Sequence, residues 1–156
     1  MKNTTLCYIR RGEEILLLHR IKKAHDENEG KWLGVGGKLE EGESPDECLL
    51  REVREETGLR LTDWRCRGIV TFVSDRWEGE YMHLFTADGF EGELSDCDEG
   101  ELKWVPRSAI PTLPQWEGDR IFLGLIERDT PFFHLKLCYE GDRLMRAVLN
   151  GEPLSI

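Results

Sequence analysis

The sequence predicts an α/β fold, a mixed β-sheet with helices on its faces. Two observations carry this. Short β-rich segments recur from Thr4 to Leu149, several closed by glycine turns, and two longer segments of helical character interrupt them. Strands mixed with two helices pack most simply as a sheet covered by helices. At 156 residues the chain suits one domain, residues 1–156, with a sizeable core.

Each element has a local reason. Thr4 to Arg10 and Glu14 to His19 flank Arg11-Gly12-Glu13 and read as a hairpin. Ala24 to Lys31 is polar and reads as a loop. Lys31 to Val35 reads as a short strand that runs into the Gly36-Gly37 turn. Ser44 to Gly58 is the best-specified helix. Ser44 is a strong N-cap, Pro45 takes the first helical position where its missing N–H costs nothing, and Glu47 completes a capping box. Gly58 supplies a left-handed C-terminal cap. Arg67 to Val73, Tyr81 to Ala87 and Leu102 to Val105 follow as strands, then Trp116 to Arg128 as a second helix. Phe132 to Tyr139 and Arg143 to Leu149 flank Glu140-Gly141-Asp142, a late hairpin.

Composition narrows the function. A net charge of -10 argues against a protein that grips a nucleic-acid backbone, and it suits an acidic cation site. No apolar stretch approaches the ~20 residues of a membrane helix. The five cysteines, Cys7, Cys48, Cys66, Cys97 and Cys138, form no C-x-x-C pair, and Lys2, Asn3 and Thr4 precede only a short apolar run. Free thiols in a reducing cytoplasm are expected, with no membrane and no protein partner.

The chemistry is concentrated on the first helix. Glu52, Glu55 and Glu56 stand at i, i+3 and i+4 and share one face. Leu49, Val53 and Thr57 form the neighbouring face, expected against the sheet. Three adjacent carboxylates repel one another, and a divalent cation relieves the repulsion. Hard oxygen ligands select magnesium or manganese over zinc. For an isolated E-x-x-E-E a solvated acidic face is the plain alternative. The surroundings argue against it: Gly36-Gly37 can bring backbone close to a ligand, Glu43 stands at the helix entrance, and Arg51 can pair with a neighbouring glutamate and hold its rotamer.

Gly37, five residues, Glu43, seven residues, then Arg51-Glu52-Val53-Arg54-Glu55-Glu56-Thr57-Gly58-Leu59 resembles the whole Nudix box, residues 37–59, with no departure. The resemblance implies a Nudix-type α/β/α sandwich with a mixed central β-sheet. It implies a pyrophosphohydrolase in which the Gly36 carbonyl and the side chains of Glu52, Glu55 and Glu56 hold magnesium. Glu52 is the best candidate to orient or deprotonate the attacking water, with Arg51 beside it.

The similarity extends beyond the box, from about Leu6 to about Tyr139. Gly30 to Glu40, Trp104-Val105-Pro106 and Trp116-Glu117-Gly118-Asp119 are similar to the MutT/MutX-type 8-oxo-dGTP diphosphatases and their animal oxidised-purine counterparts. This implies that Trp116 stacks on a purine and Asp119 reads its hydrogen-bonding edge. An indole face suits any base, and a carboxyl group can bond base N–H donors. Read without the resemblance, the two residues pack and cap the start of a helix. The resemblance also implies a metal-binding role for Glu99, in an acidic run that by itself reads as solvated surface. Leu33, Gly37 and Lys38 of the glycine-rich stretch are expected at the substrate. Lys22 and Lys23 are candidate phosphate contacts or ordinary surface lysines. His19, His25, His83 and His134 show no ligand spacing. Leu33 stands where the animal enzymes carry a base-contacting asparagine, and Gly118 precedes Asp119 where they carry a second acid. Purine selection is therefore expected to differ in detail.

The expected reaction is hydrolysis of an oxidised purine nucleoside triphosphate to the monophosphate and pyrophosphate. A nucleotide sugar, a dinucleotide polyphosphate or a pyrimidine triphosphate is the alternative within the same chemistry. A non-catalytic nucleotide sensor is the alternative outside it, and such a module is expected to lose box carboxylates that this chain keeps.

Overall fold

The computed structural model describes residues 1–22 and 26–156. One sheet organises them. Its strands are β1 (Lys2–Arg11), β2 (Glu14–His19), β3 (Trp32–Leu33), β4 (Arg60–Ser74), β5 (Glu80–Glu91), β6 (Glu101–Pro106), β7 (Phe133–Glu140), β8 (Arg143–Leu149) and β9 (Glu152–Leu154). The order is β3-β2-β1-β5-β4-β7-β8-β9, with β6 paired to β2. β1 runs parallel to β5 and β4 parallel to β7, and the other pairs are antiparallel. The sheet is mixed, as the sequence predicts.

Strand alternation sends side chains to two separate cores. Along β2, Ile15 and Leu17 join one cluster while Leu16 and Leu18 join the other. One core is closed by α1 (Pro45–Thr57), which buries Leu49 and Val53 against Cys7, Ile9 and Phe85. The other is closed by α2 (Asp119–Glu127), whose Phe122, Leu125 and Ile126 pack on Tyr8, Leu84, Phe133 and Leu135. The result is helix, sheet, helix. Burying each such side chain contributes about 1.5–3 kcal/mol.

The α1 signals operate as expected. The Ser44 hydroxyl accepts from the Glu47 N–H at 3.1 Å, and the Glu47 carboxylate accepts from the Ser44 N–H at 3.0 Å. Gly58 closes the helix at φ 80°, left-handed backbone that a side chain would strain.

Several expected boundaries shift. β4 begins at Arg60 rather than Arg67. Its polar start, Arg-Leu-Thr-Asp, resembles a loop, yet Leu61 enters the α1-side core and register shifts near Leu61, Asp63 and Trp64 absorb the irregular pattern. β5 runs from Glu80 to Glu91, beyond the expected Tyr81 to Ala87, and its added residues Gly89, Phe90 and Glu91 pair with Asp63, Leu61 and Arg60 of β4. The strand expected over Lys31 to Val35 shrinks to Trp32–Leu33, and Val35 makes only an isolated bridge to Cys7. The second helix begins at Asp119 rather than Trp116, because Trp116 to Gly118 form a turn closed by the Asp119 N–H on the Trp116 carbonyl at 3.0 Å. A 3₁₀ turn at Arg107–Thr112 and the edge strand β9 are additions. The expected loop is described from Asp26 onward. Lys23, Ala24 and His25, including the candidate phosphate contact Lys23, lie outside the described residues.

Candidate active site

A cleft of about 420 Å³ opens on the described residues and joins the two cores' edges. Gly36, Gly37, Lys38, Glu52, Glu56 and Glu99 line one end, and Leu33, Trp116 and Asp119 line the other. Most of the residues singled out in the sequence therefore share one wall-to-wall space. Arg51, Glu55 and Lys22 stand outside its lining.

The carboxylate end is built by α1 and the glycine-rich stretch. The Glu56 carboxylate accepts from the Gly36 N–H at 3.0 Å. Burial, then the nearby Glu99 charge, pushes the Glu56 carboxyl well above the usual range. Glu52 sits under Gly37 so closely that a Cβ on Gly37 would lie 2.4 Å from its carboxyl carbon. Glycine is required there by this approach rather than by backbone angle. Burial also raises the Glu52 carboxyl. Glu55 stands outside the cleft lining: its side chain is 61% exposed and, among the described residues, its polar contact is the Arg51 guanidinium at 3.4 Å.

Arg51 is a clamp. It donates to both Glu43 carboxylate oxygens, at 2.7 and 2.9 Å, to Glu52 Oε1 at 2.7 Å and to the Lys38 carbonyl at 3.1 Å. The bidentate arginine holds Glu43 down to about 2. Glu43 therefore anchors Arg51, which in turn fixes the Glu52 rotamer. Glu99 is held by Arg20, whose guanidinium donates to its Oε2 at 2.7 Å. Lys22 is committed elsewhere, with its ammonium on the Cys97 carbonyl at 2.8 Å.

The donors along this wall are hard oxygens: the carboxylates of Glu52, Glu56 and Glu99. Burial and the neighbouring Glu99 charge raise the proton affinity of Glu56, an effect that a divalent cation would reverse. Among the described residues no three His, Cys, Asp or Glu side chains converge into a ready-made cage. The arrangement is a row with arginines at both ends, and an oxygen-liganded dication fits its chemistry.

The base end is drawn from remote segments. Trp116 is 6% exposed, and its ring meets Phe72 and Tyr139 edge-on at 5.5 and 5.0 Å. The Lys31 ammonium lies 4.5 Å from its centroid, and its indole N–H donates to Asn28 Oδ1 at 2.7 Å. Asp119 is 5% exposed and lines the cleft, and no described residue hydrogen-bonds its carboxyl group. Burial pushes that carboxyl up to about 8. The Asp119 side chain borders the open cleft rather than only the packed interior. Gly118 lets the turn reach this position. A Cβ there would lie 2.5 Å from Leu137 Cδ1 and 2.6 Å from the Tyr139 hydroxyl, which accepts from the Gly118 N–H at 2.8 Å.

The NUDIX domain profile matches residues 2–125. The chain belongs to the Nudix hydrolase family. An uncharacterized Nudix hydrolase of Bacillus subtilis, YvcI, is 31% identical over 144 residues, covering 89% of this chain and 87% of that protein. The oxidized purine nucleoside triphosphate hydrolase of Danio rerio is 35% identical over 98 residues, covering 62% of this chain and 63% of that protein. The crystal structure of a mutator MutT protein from Bacillus halodurans superposes with a TM-score of 0.86 at 27% identity, over 98% of this chain and 100% of that one.

For this Nudix hydrolase, sequence reasoning overlooked Arg20, Asp26, Asn28 and Glu80, all of which line the cleft. None lies at a motif spacing. Glu43 was visible at the helix entrance, but its pairing with Arg51 is an outcome of folding.

Proposed function

We propose that this Nudix hydrolase cleaves an oxidised purine nucleoside triphosphate of the 8-oxo-dGTP kind to the monophosphate and pyrophosphate, using magnesium, with manganese as a substitute. One observation carries the reading. A single cleft holds oxygen-only carboxylates at one end and, at the other, a buried tryptophan beside a buried carboxyl group that has no described partner. The first suits a metal-bound pyrophosphate and the second a nucleobase edge. The resemblance to oxidised purine nucleoside triphosphate hydrolases supports the same choice. Such an enzyme would act in the cytoplasm, removing oxidised precursors before they enter DNA.

The residues divide the work. Glu52, Glu56, Glu99 and the Gly36 carbonyl would hold the cation, with Glu55 as an outer carboxylate. A bound magnesium ion would offset phosphate charge and acidify a coordinated water. Glu52 is positioned to take the proton of the attacking water: Arg51 occupies its Oε1 and leaves Oε2, and burial raises its basicity. A water–phosphorus bond forms, the anhydride P–O bond breaks, and pyrophosphate departs. Lys38, exposed at the rim, is available to phosphate oxygens. At the far end Trp116 would stack on the base over Leu33, and Asp119 would bond its N–H edge.

The test is pyrophosphate release from 8-oxo-dGTP, dGTP, dCTP, a nucleotide sugar and a dinucleotide polyphosphate with magnesium. 8-oxo-dGTP should show the highest kcat/KM. Trp116→Ala and Asp119→Ala should each lower it by about tenfold more than kcat/KM for dCTP, since base stacking and an edge hydrogen bond are worth about 1–3 kcal/mol each. Uniform losses on every substrate with a lowered Tm would reduce both residues to packing. A nucleotide sugar as best substrate would overturn the purine assignment.

A further inference from the structure

Two arginines at the carboxylate end are held in the same way. Glu43 grips Arg51, which reaches Glu52. Asp26 grips Arg20, whose Nε donates to Asp26 Oδ2 at 2.8 Å while a terminal nitrogen lies 2.7 Å from the same oxygen. The other terminal nitrogen donates to Glu99 Oε2 at 2.7 Å. In both cases an outer carboxylate sets an arginine, and the arginine sets one oxygen of an inner carboxylate. Both inner carboxylates, Glu52 and Glu99, line the cleft.

The Arg20 clamp differs in what lies next to it. Two residues beyond Asp26, Asn28 accepts the Trp116 indole N–H at 2.7 Å. The Glu29 N–H donates to the Asp26 carbonyl and the Lys31 N–H to the Asn28 carbonyl, both at 2.9 Å, so Asp26 and Asn28 belong to one tight turn. That turn is pinned to the end of β2. The Gly30 N–H donates to the Arg20 carbonyl at 2.7 Å, and the Arg20 N–H donates to the Lys31 carbonyl at 3.0 Å. A displacement of Asn28 is therefore a displacement of Asp26. One short, doubly pinned turn touches the tryptophan at one end of the cleft and, through a single guanidinium, the carboxylate at the other.

We propose that Asp26 and Asn28 are positioning residues that couple base recognition at Trp116 to the placement of Glu99. The proposal rests on the reading above, in which Trp116 meets the base and Glu99 the cation. A base seated on Trp116 fixes the indole, the indole fixes Asn28, and the turn fixes the Asp26–Arg20–Glu99 chain. The site that holds the cation is then completed only when the correct base is present, so discrimination enters kcat as well as KM. The plain alternative is that these hydrogen bonds only close a loop. It predicts lost stability and no communication between the ends.

The experiment uses a probe without phosphate, so that any effect on the metal travels through the protein. Mn²⁺ affinity is measured by electron paramagnetic resonance on the whole chain, with and without saturating 8-oxo-2′-deoxyguanosine. Nucleoside binding is followed separately by quenching of tryptophan fluorescence, and folding by melting curves. In the unmodified protein the nucleoside should tighten Mn²⁺ binding about 5-fold or more, the lower range of coupling between linked sites. Asn28→Ala should bind Mn²⁺ alone as before and lose the tightening. Asn28→Asp keeps an acceptor for the indole and should restore it. Asp26→Asn should weaken Mn²⁺ binding without nucleoside and also lose the coupling. Nucleoside that binds at Trp116 and leaves Mn²⁺ affinity unchanged would overturn the proposal alone. Nucleoside binding that is indifferent to Trp116→Ala would overturn the base-site reading, and the proposal with it.

Discussion

The two ends of the cleft are built on opposite principles. The carboxylate end is a set of like charges held apart by arginines: Arg51 between Glu43 and Glu52, Arg20 between Asp26 and Glu99. The base end is an apolar box of Phe72, Leu137, Trp116 and Tyr139 around one acid with no described partner. The first end stores repulsion that a cation relieves. The second turns a carboxyl group with no described hydrogen-bond partner toward the cleft, where a base edge could meet it. Changes at the first end should therefore damage chemistry and spare the fold. Changes at the second should touch stability and selection together.

The largest effect expected on that contrast comes from Glu56→Gln. It keeps size and the Gly36 contact but removes a charge facing the cation. Activity should fall by at least about 10²-fold, since metal-ligand charge supplies several kcal/mol of transition-state stabilisation. The melting temperature should hold or rise, because burial and the Glu99 charge both disfavour ionised Glu56. A steep fall in Tm would show that the carboxylate end supports the fold after all.

Paired glycine substitutions sharpen the contrast. In Gly37→Ala the new Cβ meets the Glu52 carboxyl group, the far end of a movable side chain. Activity should drop by about tenfold or more with little change in Tm, because a misplacement of about 1 Å near reacting groups is costly. In Gly118→Ala the new Cβ meets Leu137 and the Tyr139 hydroxyl inside the core. Overpacking there should lower stability by about 1–3 kcal/mol. Denaturant melts and steady-state rates on both variants decide whether the two ends respond oppositely.

The smallest effect is a pH dependence. Burial raises Asp119 from 3.8 to about 8, so the folded state binds a proton that the unfolded state releases. Its contribution is fully present below about 4 and is lost as pH rises through about 8. Asp119→Asn cannot ionise. Its Tm should gain on that of the parent protein as pH is raised from about 5 to about 9, with each pKa unit worth about 1.4 kcal/mol at most. Parallel Tm curves across that range would mean that Asp119 ionises freely in the folded protein.

Much of the carboxylate end was legible because it is local. Ser44, Pro45, Glu47 and Gly58 cap α1 through bonds spanning four residues or fewer, and the helical repeat then dictates where Glu52 and Glu56 lie. Glu55 shows the limit of that reasoning. It shares the helical face, yet it stands outside the cleft lining and mostly exposed, held by Arg51. The base end was only partly legible. Trp116 and Asp119 stand out by resemblance alone, and their helix starts three residues later than its sequence suggests because the Trp116–Asp119 turn is held by Tyr139 and Asn28.

By itself the sequence determined the helix that carries the chemistry, the alternation that splits the core, and the kind of ligand atoms offered to a cation. These follow from hydrogen bonds and periodicities within a few residues of one another. Only the tertiary structure decided which acids face the cleft, which arginines hold them, and that Asn28 meets Trp116 across 88 positions of chain. Such pairings come from strand order and loop closure, and no local spacing records them.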